Sequence, residues 1–238
     1  MLKFYFKKIY LNTKEFVRES LPYRRVNSFF KSQLIKKNLR RQLELNNIIP
    51  NKKFHKKIFI PLIETSHYQF FQVALIAKAL MLRGAEIKIL VCDESLPACE
   101  IKSSRNLKKD PCLNCRANRK KTLPEFGLET INFSEVLDKS IMEDIKNLAE
   151  NLSSNYPKHF FYYEHEIIRL VNDSVTRYYY GNVPHEPSLE LDQIRKKYLI
   201  TVLMGFEVAR KIHQSWNPDV IFGNMEVYCD WAPYYQYF

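Results

Sequence analysis

Four cysteines set the first chemical question. Cys92, Cys99, Cys112 and Cys115 are spaced C-x6-C-x12-C-x2-C, and thiolates are the ligands that hold a structural Zn²⁺ tetrahedrally. "CLNC" (112–115) reads as a tight hairpin knuckle letting two thiolates share one ion, with Cys92 and Cys99 completing a set of four. Residues 93–127, which carry three of the four, are rich in Lys, Asn and Ser and poor in apolar residues. A structural Zn²⁺ would staple such an insertion. The first pair's spacing is not that of a familiar zinc ribbon, so two other readings stand beside it: reduced structural cysteines, Cys92 being buried at a strand end, and a redox or disulfide role. Ligand type alone also admits an iron–sulfur cluster.

A second set of polar residues sits at a joint. In "PLIETSHYQF" (61–70), Glu64, Thr65, Ser66 and His67 fall between a strand-like run and a helix-like run. Ser66 or Thr65 there would cap the helix, and the free N–H groups of its first turn would hold an anion or a sugar hydroxyl. His67 would face the crevice; alternatively the set is only a cap and His67 a surface residue. Near the end of the sequence the same arrangement recurs. "PDVIFGN" (218–224) reads as a strand, followed by a turn bearing Asn224, Glu226 and Asp230 and a helix starting near Trp231. No glycine-rich G-x-G-x-x-G loop is present.

The elements that must position these residues follow from periodicity. "KIFIPLI" (57–63) is a short β-rich apolar run, "YQFFQVALIAKALMLRG" (68–84) is helical in length and apolar on almost every side, and "AEIKILVCD" (85–93) is a second strand. Gly84 supplies the helix stop. Strand, buried helix and strand within so few residues predict a βαβ unit of a parallel sheet. The fold class is α/β, a Rossmann-like parallel sheet flanked by helices, and its ligands sit beyond the carboxyl ends of the strands. "LETINFSEV" (128–136) predicts a third strand and "VLDKSIMEDIKNLAENL" a helix. Two long helical patterns follow over 164–181 and 186–216, whose aromatics, Tyr178–Tyr180 included, read as packing residues.

Charge divides the chain. The net charge is +11, but residues 1–57 hold 16 Lys and Arg against three Glu, whereas 58–238 hold 21 basic and 23 acidic residues. The excess therefore belongs to an N-terminal arm, residues 1–51, and residues 52–238 form the α/β domain with the insertion 93–127. In the arm Phe4, Phe6, Ile9, Tyr10, Phe16 and Val17 alternate with Lys and Arg, as in a basic amphipathic helix. Such a helix lies on an anionic membrane surface, where each basic side chain contributes about 1 kcal/mol, or docks on its own domain with a solvated basic face. Nothing matches an RNA-binding sheet, a recognition helix or a complete finger, so nucleic acid is the least favoured partner. No apolar run is long enough to cross a bilayer and no secretory signal opens the chain. The expected place is the cytoplasm, peripheral at the inner face of the cell membrane.

The run "PLIETSHYQFFQVALIAKALMLRGAEIKILVCD" resembles the opening of the N-terminal domain of GT-B glycosyltransferases. There, a strand leads through a turn ending in His to an "LAxALxxRGxEV" helix. "VCDESLPACE", "CLNC" and "WNPDVIFGNMEVYCDWAPYYQYF" are similar to the cysteine-containing glycosyltransferases of bacterial capsule and surface polysaccharide synthesis, the whole covering about residues 57–238. The resemblance implies an acceptor-binding domain, a nucleotide-sugar donor bound by a C-terminal domain that this sequence lacks, and no catalytic metal. The expected partner is a glycan or lipid-linked acceptor. It also implies that the chain is a fragment of a longer polypeptide and would be inactive alone. His67 takes the place of the motif histidine, with Glu226 or Asp230 as the alternative base. Glu64, Thr65, Ser66, Asn224 and Trp231 would line the acceptor site. The sequence departs from the motif at Ser66, where a glycine is usual. The alternative expectation, from the residues alone, is a non-catalytic zinc-stabilised α/β protein that binds membrane or nucleic acid.

Overall fold

The computed structural model describes residues 55–63, 67–102, 111–223 and 227–238, the side chains of His67 and Tyr68 excepted. The chain divides between Asn51 and Lys52, and the described residues all belong to the second unit. The basic arm, and with it the expected amphipathic helices, lies outside the described residues.

The centre is a four-stranded parallel sheet in the order β3-β2-β1-β6. Strand β1 (Lys57–Leu62) is buried from Ile58 onwards, the continuous apolar run expected of a parallel strand covered on both faces. It pairs with β2 (Glu86–Val91) along its whole length, from Lys57 opposite Glu86 to Leu62 opposite Val91. Strand β3 (Thr130–Asn132) continues the sheet beyond β2. On the other side β6 (Val220–Ile221) meets β1 only at Ile58 and Phe59. Between β1 and β2 runs α1 (His67–Met81), so the βαβ unit expected from the sequence is present and the fold is α/β and Rossmann-like.

Helix α1 packs one stripe, Phe70, Val73, Ala74 and Ala77, into the core and leaves Leu75, Ile76 and Met81 at 36–41% exposure. Its apolar outer side is therefore partly exposed, where the sequence reads as a helix buried on most of its surface. Its end is as expected: Gly84 takes φ +95°, and its N–H bonds back to the Met81 carbonyl at 2.9 Å, which glycine does without strain.

The insertion is more ordered than its composition suggests. Helix α2 (Pro111–Thr122) starts with Pro at its first position, where the missing N–H costs nothing. It runs into a 3₁₀ turn, Leu123–Phe126, closed by Gly127 at φ +61°. A short turn of helix, α3 (Phe133–Val136), and α4 (Lys139–Ser154) follow β3. The third strand is thus only three residues long, because the Asn132–Glu135 capping box starts a helix there.

A helix expected from Glu164 begins later. Phe161–Tyr162 and His165–Glu166 form a small antiparallel hairpin, β4 and β5, turning through Tyr163 (φ +47°) and Glu164 (φ +69°). Helix α5 (Ile167–Tyr178) starts after it. Helix α6 (Leu189–Trp216) is the spine of the unit: every residue from Thr201 to Ala209 is buried, and α4, α5 and the last helix, α7 (Ala232–Tyr237), pack against it. A helix buried all round cannot show a clean amphipathic stripe. The α6–α7 contact depends on Gly205, where a Cβ would lie 2.7 Å from Pro233 Cγ.

Candidate functional site

The strand order reverses between β1 and β6: from β1 the chain proceeds outward through β2 to β3, then returns to the other side of β1. In open α/β sheets the crevice at such a switch point, beyond the carboxyl ends of the strands, is where ligands bind. Both polar segments singled out in the sequence emerge there. Residues 63–67 leave the end of β1, which stops at Leu62, and residues 222–231 leave the end of β6, which stops at Ile221. His67 is the first residue of α1. Glu64, Thr65, Ser66, Asn224 and Glu226 lie outside the described residues, as does the side chain of His67.

The rest of the second segment is fastened from below. Phe222 N–H donates to the Phe59 carbonyl at 2.9 Å. A side chain at Gly223 would strike the Tyr235 hydroxyl, 1.7 Å from an added Cβ. Cys229, fully buried, donates its N–H to Ser174 Oγ at 2.9 Å and so pins the loop to α5.

Asp230 and Trp231 are interior residues. Trp231 is 1% exposed and Asp230 2% exposed, and Asp230 Oδ2 accepts the N–H of Glu100 at 2.9 Å. Its Oδ1 has no hydrogen-bond partner among the described residues. Burial pushes the Asp230 carboxyl up to about 7, against the lowering pull of the Glu100 N–H. A pKa near neutrality suits a general base, but in this conformation the carboxyl joins the loop after β6 to the loop after β2 rather than facing solvent.

Beside this loop is a groove of about 590 Å³ lined by Asp173, Thr176, Arg177, Tyr180, Val227 and Tyr228. It is formed by the end of α5 and the loop after β6. Arg177 ties it to the loop after β2 through Glu100 at 2.9 Å, and the ion pair raises the Arg177 pKa. Tyr180 (φ +52°) and Tyr228 (φ +70°) both hold left-handed backbone conformations, uncommon for aromatic residues, and Tyr180 is 58% exposed. Two phenol rings beside a carboxylate, a hydroxyl and a guanidinium present stacking faces and hydrogen-bonding groups together. Sequence reasoning assigned Tyr180 to packing and passed over Asp173, Arg177 and Tyr228; the only signal was the run Tyr178–Tyr180, of which Tyr179 is buried and Tyr180 is not.

The four cysteines also come together. Cys92, Cys99, Cys112 and Cys115 all line one cavity, with Glu94, Lys102 and Arg116 beside them. "CLNC" is not a hairpin knuckle but the first turn of α2, which still sets both thiols on one side because positions i and i+3 of a helix are neighbours. Helix α2 is fastened over the end of β2 by Arg119, which donates to the Cys92 carbonyl at 2.7 Å, and by the Arg116–Glu94 pair at 3.0 Å. No disulfide is formed. Burial raises the Cys92 thiol and pushes Cys99 up to about 12, Asp230 adding to the latter. Among the described residues no three His, Cys, Asp or Glu side chains already stand as a metal-ligating group.

A third polar cluster fastens the hairpin. Tyr162 and Tyr163 each donate a 2.6 Å hydrogen bond to Glu207 Oε1, while Arg210 Nε and Nη2 donate to Oε2 at 3.0 and 2.8 Å. Burial pushes the Glu207 carboxyl up, but these donors outweigh it and hold its pKa below the ordinary value. With both oxygens engaged and the side chain 6% exposed, this carboxylate is a structural anchor.

No protein-family model matches the chain, and no curated protein matches it significantly. Among the described residues no helix is long and apolar enough to cross a membrane.

Proposed function

We propose that the chain is the acceptor-binding half of a GT-B-type glycosyltransferase that extends a surface polysaccharide or lipid-linked glycan. The observation that supports this reading is that β1 and β6, the strands that lead into the two polar segments, are parallel neighbours at the switch point of the sheet. The tyrosine-lined groove beside the second segment suits a sugar, whose apolar faces stack on aromatic rings and whose hydroxyls need the mixed donors and acceptors of Asp173, Thr176 and Arg177. In this reading His67, opening α1, is the general base that takes the proton of the attacking acceptor hydroxyl. The nucleotide-sugar is bound by a second domain. The basic arm, with its net excess of Lys and Arg, holds the enzyme at an anionic membrane carrying the acceptor.

Saturation-transfer NMR of the chain with neutral and acidic oligosaccharides, nucleotide-sugars and a short oligonucleotide tests this. Oligosaccharide binding is expected, weakened tenfold or more, about 1.4 kcal/mol, by Tyr228→Ala and little changed by His67→Ala. In the polypeptide carrying both domains, His67→Ala abolishes turnover. Oligonucleotide binding that falls steeply with salt, without oligosaccharide binding, would replace the enzyme by the nucleic-acid adaptor.

A further inference from the structure

The cavity lined by the four cysteines has no part in the proposed sugar chemistry, and its architecture calls for its own account. Its walls come from two places. Cys92 lies at the end of β2 and Cys99 on the loop beyond it, while Cys112 and Cys115 occupy the first turn of α2. Four of the five cysteines of a 238-residue chain meet at one small cavity, and chance placement does not readily bring residues from two separate elements to so small a volume.

Burial keeps the Cys92 and Cys99 thiols protonated, so an entering cation displaces those protons, and three local features assist it. The first turn of α2 presents the positive end of a helix dipole to Cys112 and Cys115. The Lys102 N–H already donates to Cys99 Sγ at 3.3 Å. Lys102, Arg116 and Glu94 line the cavity; Glu94 is paired with Arg116, which leaves a net positive charge next to what would be a doubly negative tetrathiolate complex. The volume, about 30 Å³, accommodates a species the size of a water or a bare ion.

We propose that Cys92, Cys99, Cys112 and Cys115 form a tetrathiolate site for a single soft divalent cation, Zn²⁺ first, that clamps α2 to the carboxyl end of β2. The thiols are not yet at ligating separations. Rotation about χ1 re-aims each sulfur without moving the backbone, and the i, i+3 pair on α2 turns toward the cavity together. Each thiol that binds gives up its proton, so four protons leave as one cation enters and no oxidant or reductant takes part. The function is structural: it holds a lysine- and asparagine-rich insertion that buries few apolar side chains against the sheet.

The test is metal content of the full chain purified under reducing conditions, with the same measurement on Cys112→Ser/Cys115→Ser and on Cys229→Ala. About one equivalent of zinc is expected in the wild type and in Cys229→Ala, whose cysteine lies outside the cavity, and none in the double variant. Cobalt substituted into the wild type should give the intense visible absorption of a tetrahedral thiolate site, so the idea stays testable if the double variant fails to fold. Less than about half an equivalent of zinc in the wild type, a cobalt spectrum without sulfur charge transfer, a brown iron–sulfur chromophore, or full zinc retention by a folded double variant would each overturn the proposal.

Discussion

Asp230 shows how one residue's environment changes its role. From sequence it is a carboxylate at the carboxyl end of a strand, hence a candidate base; in the fold it is buried with one oxygen on the Glu100 N–H. Its folded pKa, about 7, lies above the ordinary 3.8, so the folded state keeps a proton that the unfolded state has lost. Between about pH 4 and pH 7 stability therefore falls as pH rises. Asp230→Asn removes that titration and should flatten the pH dependence of the urea midpoint. At pH 8 it should exceed wild-type stability by on the order of 1–3 kcal/mol; parallel pH curves for the two proteins would disprove the assignment. The sequence could locate this residue relative to a strand but not its surroundings, because the group its carboxyl meets, Glu100, is 130 residues away in the chain. The cysteines were more legible: the spacing suggested convergence, and all four line one cavity, although the C-x2-C pair sits on a helix where a knuckle was expected.

At the level of elements, what periodicity could read was read. The strand–helix–strand unit of residues 57–91, the Gly84 stop and the long helix ending at Trp216 all appear near their expected limits. The misreadings share a cause, which is that contacts from elsewhere decide the local outcome. The run 164–166 looks helical, but Tyr162 and Tyr163 are held by Glu207, some forty residues later, and the chain turns as a hairpin. Helix α2 is polar enough to read as loop, yet it is anchored by Arg119 and Arg116. The α6–α7 packing yields a prediction of the same kind. A methyl group at Gly205 would sit 2.7 Å from Pro233 Cγ, on a ring that cannot rotate away between two packed helices. Gly205→Ala should lower stability by about 1–2 kcal/mol, overpacking outweighing alanine's better helix propensity. Thermal unfolding of the variant at or above the wild-type temperature would show that α7 yields instead.

For the molecule as a whole, the charge asymmetry and the switch point are the two organising facts. If the basic arm is a membrane tether, deleting residues 1–51 should reduce binding to phosphatidylserine-containing vesicles tenfold or more at low salt while leaving the α/β unit folded by circular dichroism; unchanged vesicle binding would remove the tether. The switch point itself can be followed down to a single missing atom. Asp219 N–H bonds to the Lys57 carbonyl and Phe222 N–H to the Phe59 carbonyl, so the odd-numbered residues of β1 turn their backbone groups toward β6. The next in that series is Pro61, which has no N–H to offer. Its register with Leu90 of β2 is undisturbed, since on that face no donor is asked of it. A one-sided gap of this kind ends the β1–β6 ladder while the β1–β2 ladder runs on. The imino acid thus acts as a zip stop on the β6 side of β1, just past the last pair, Phe59 with Ile221.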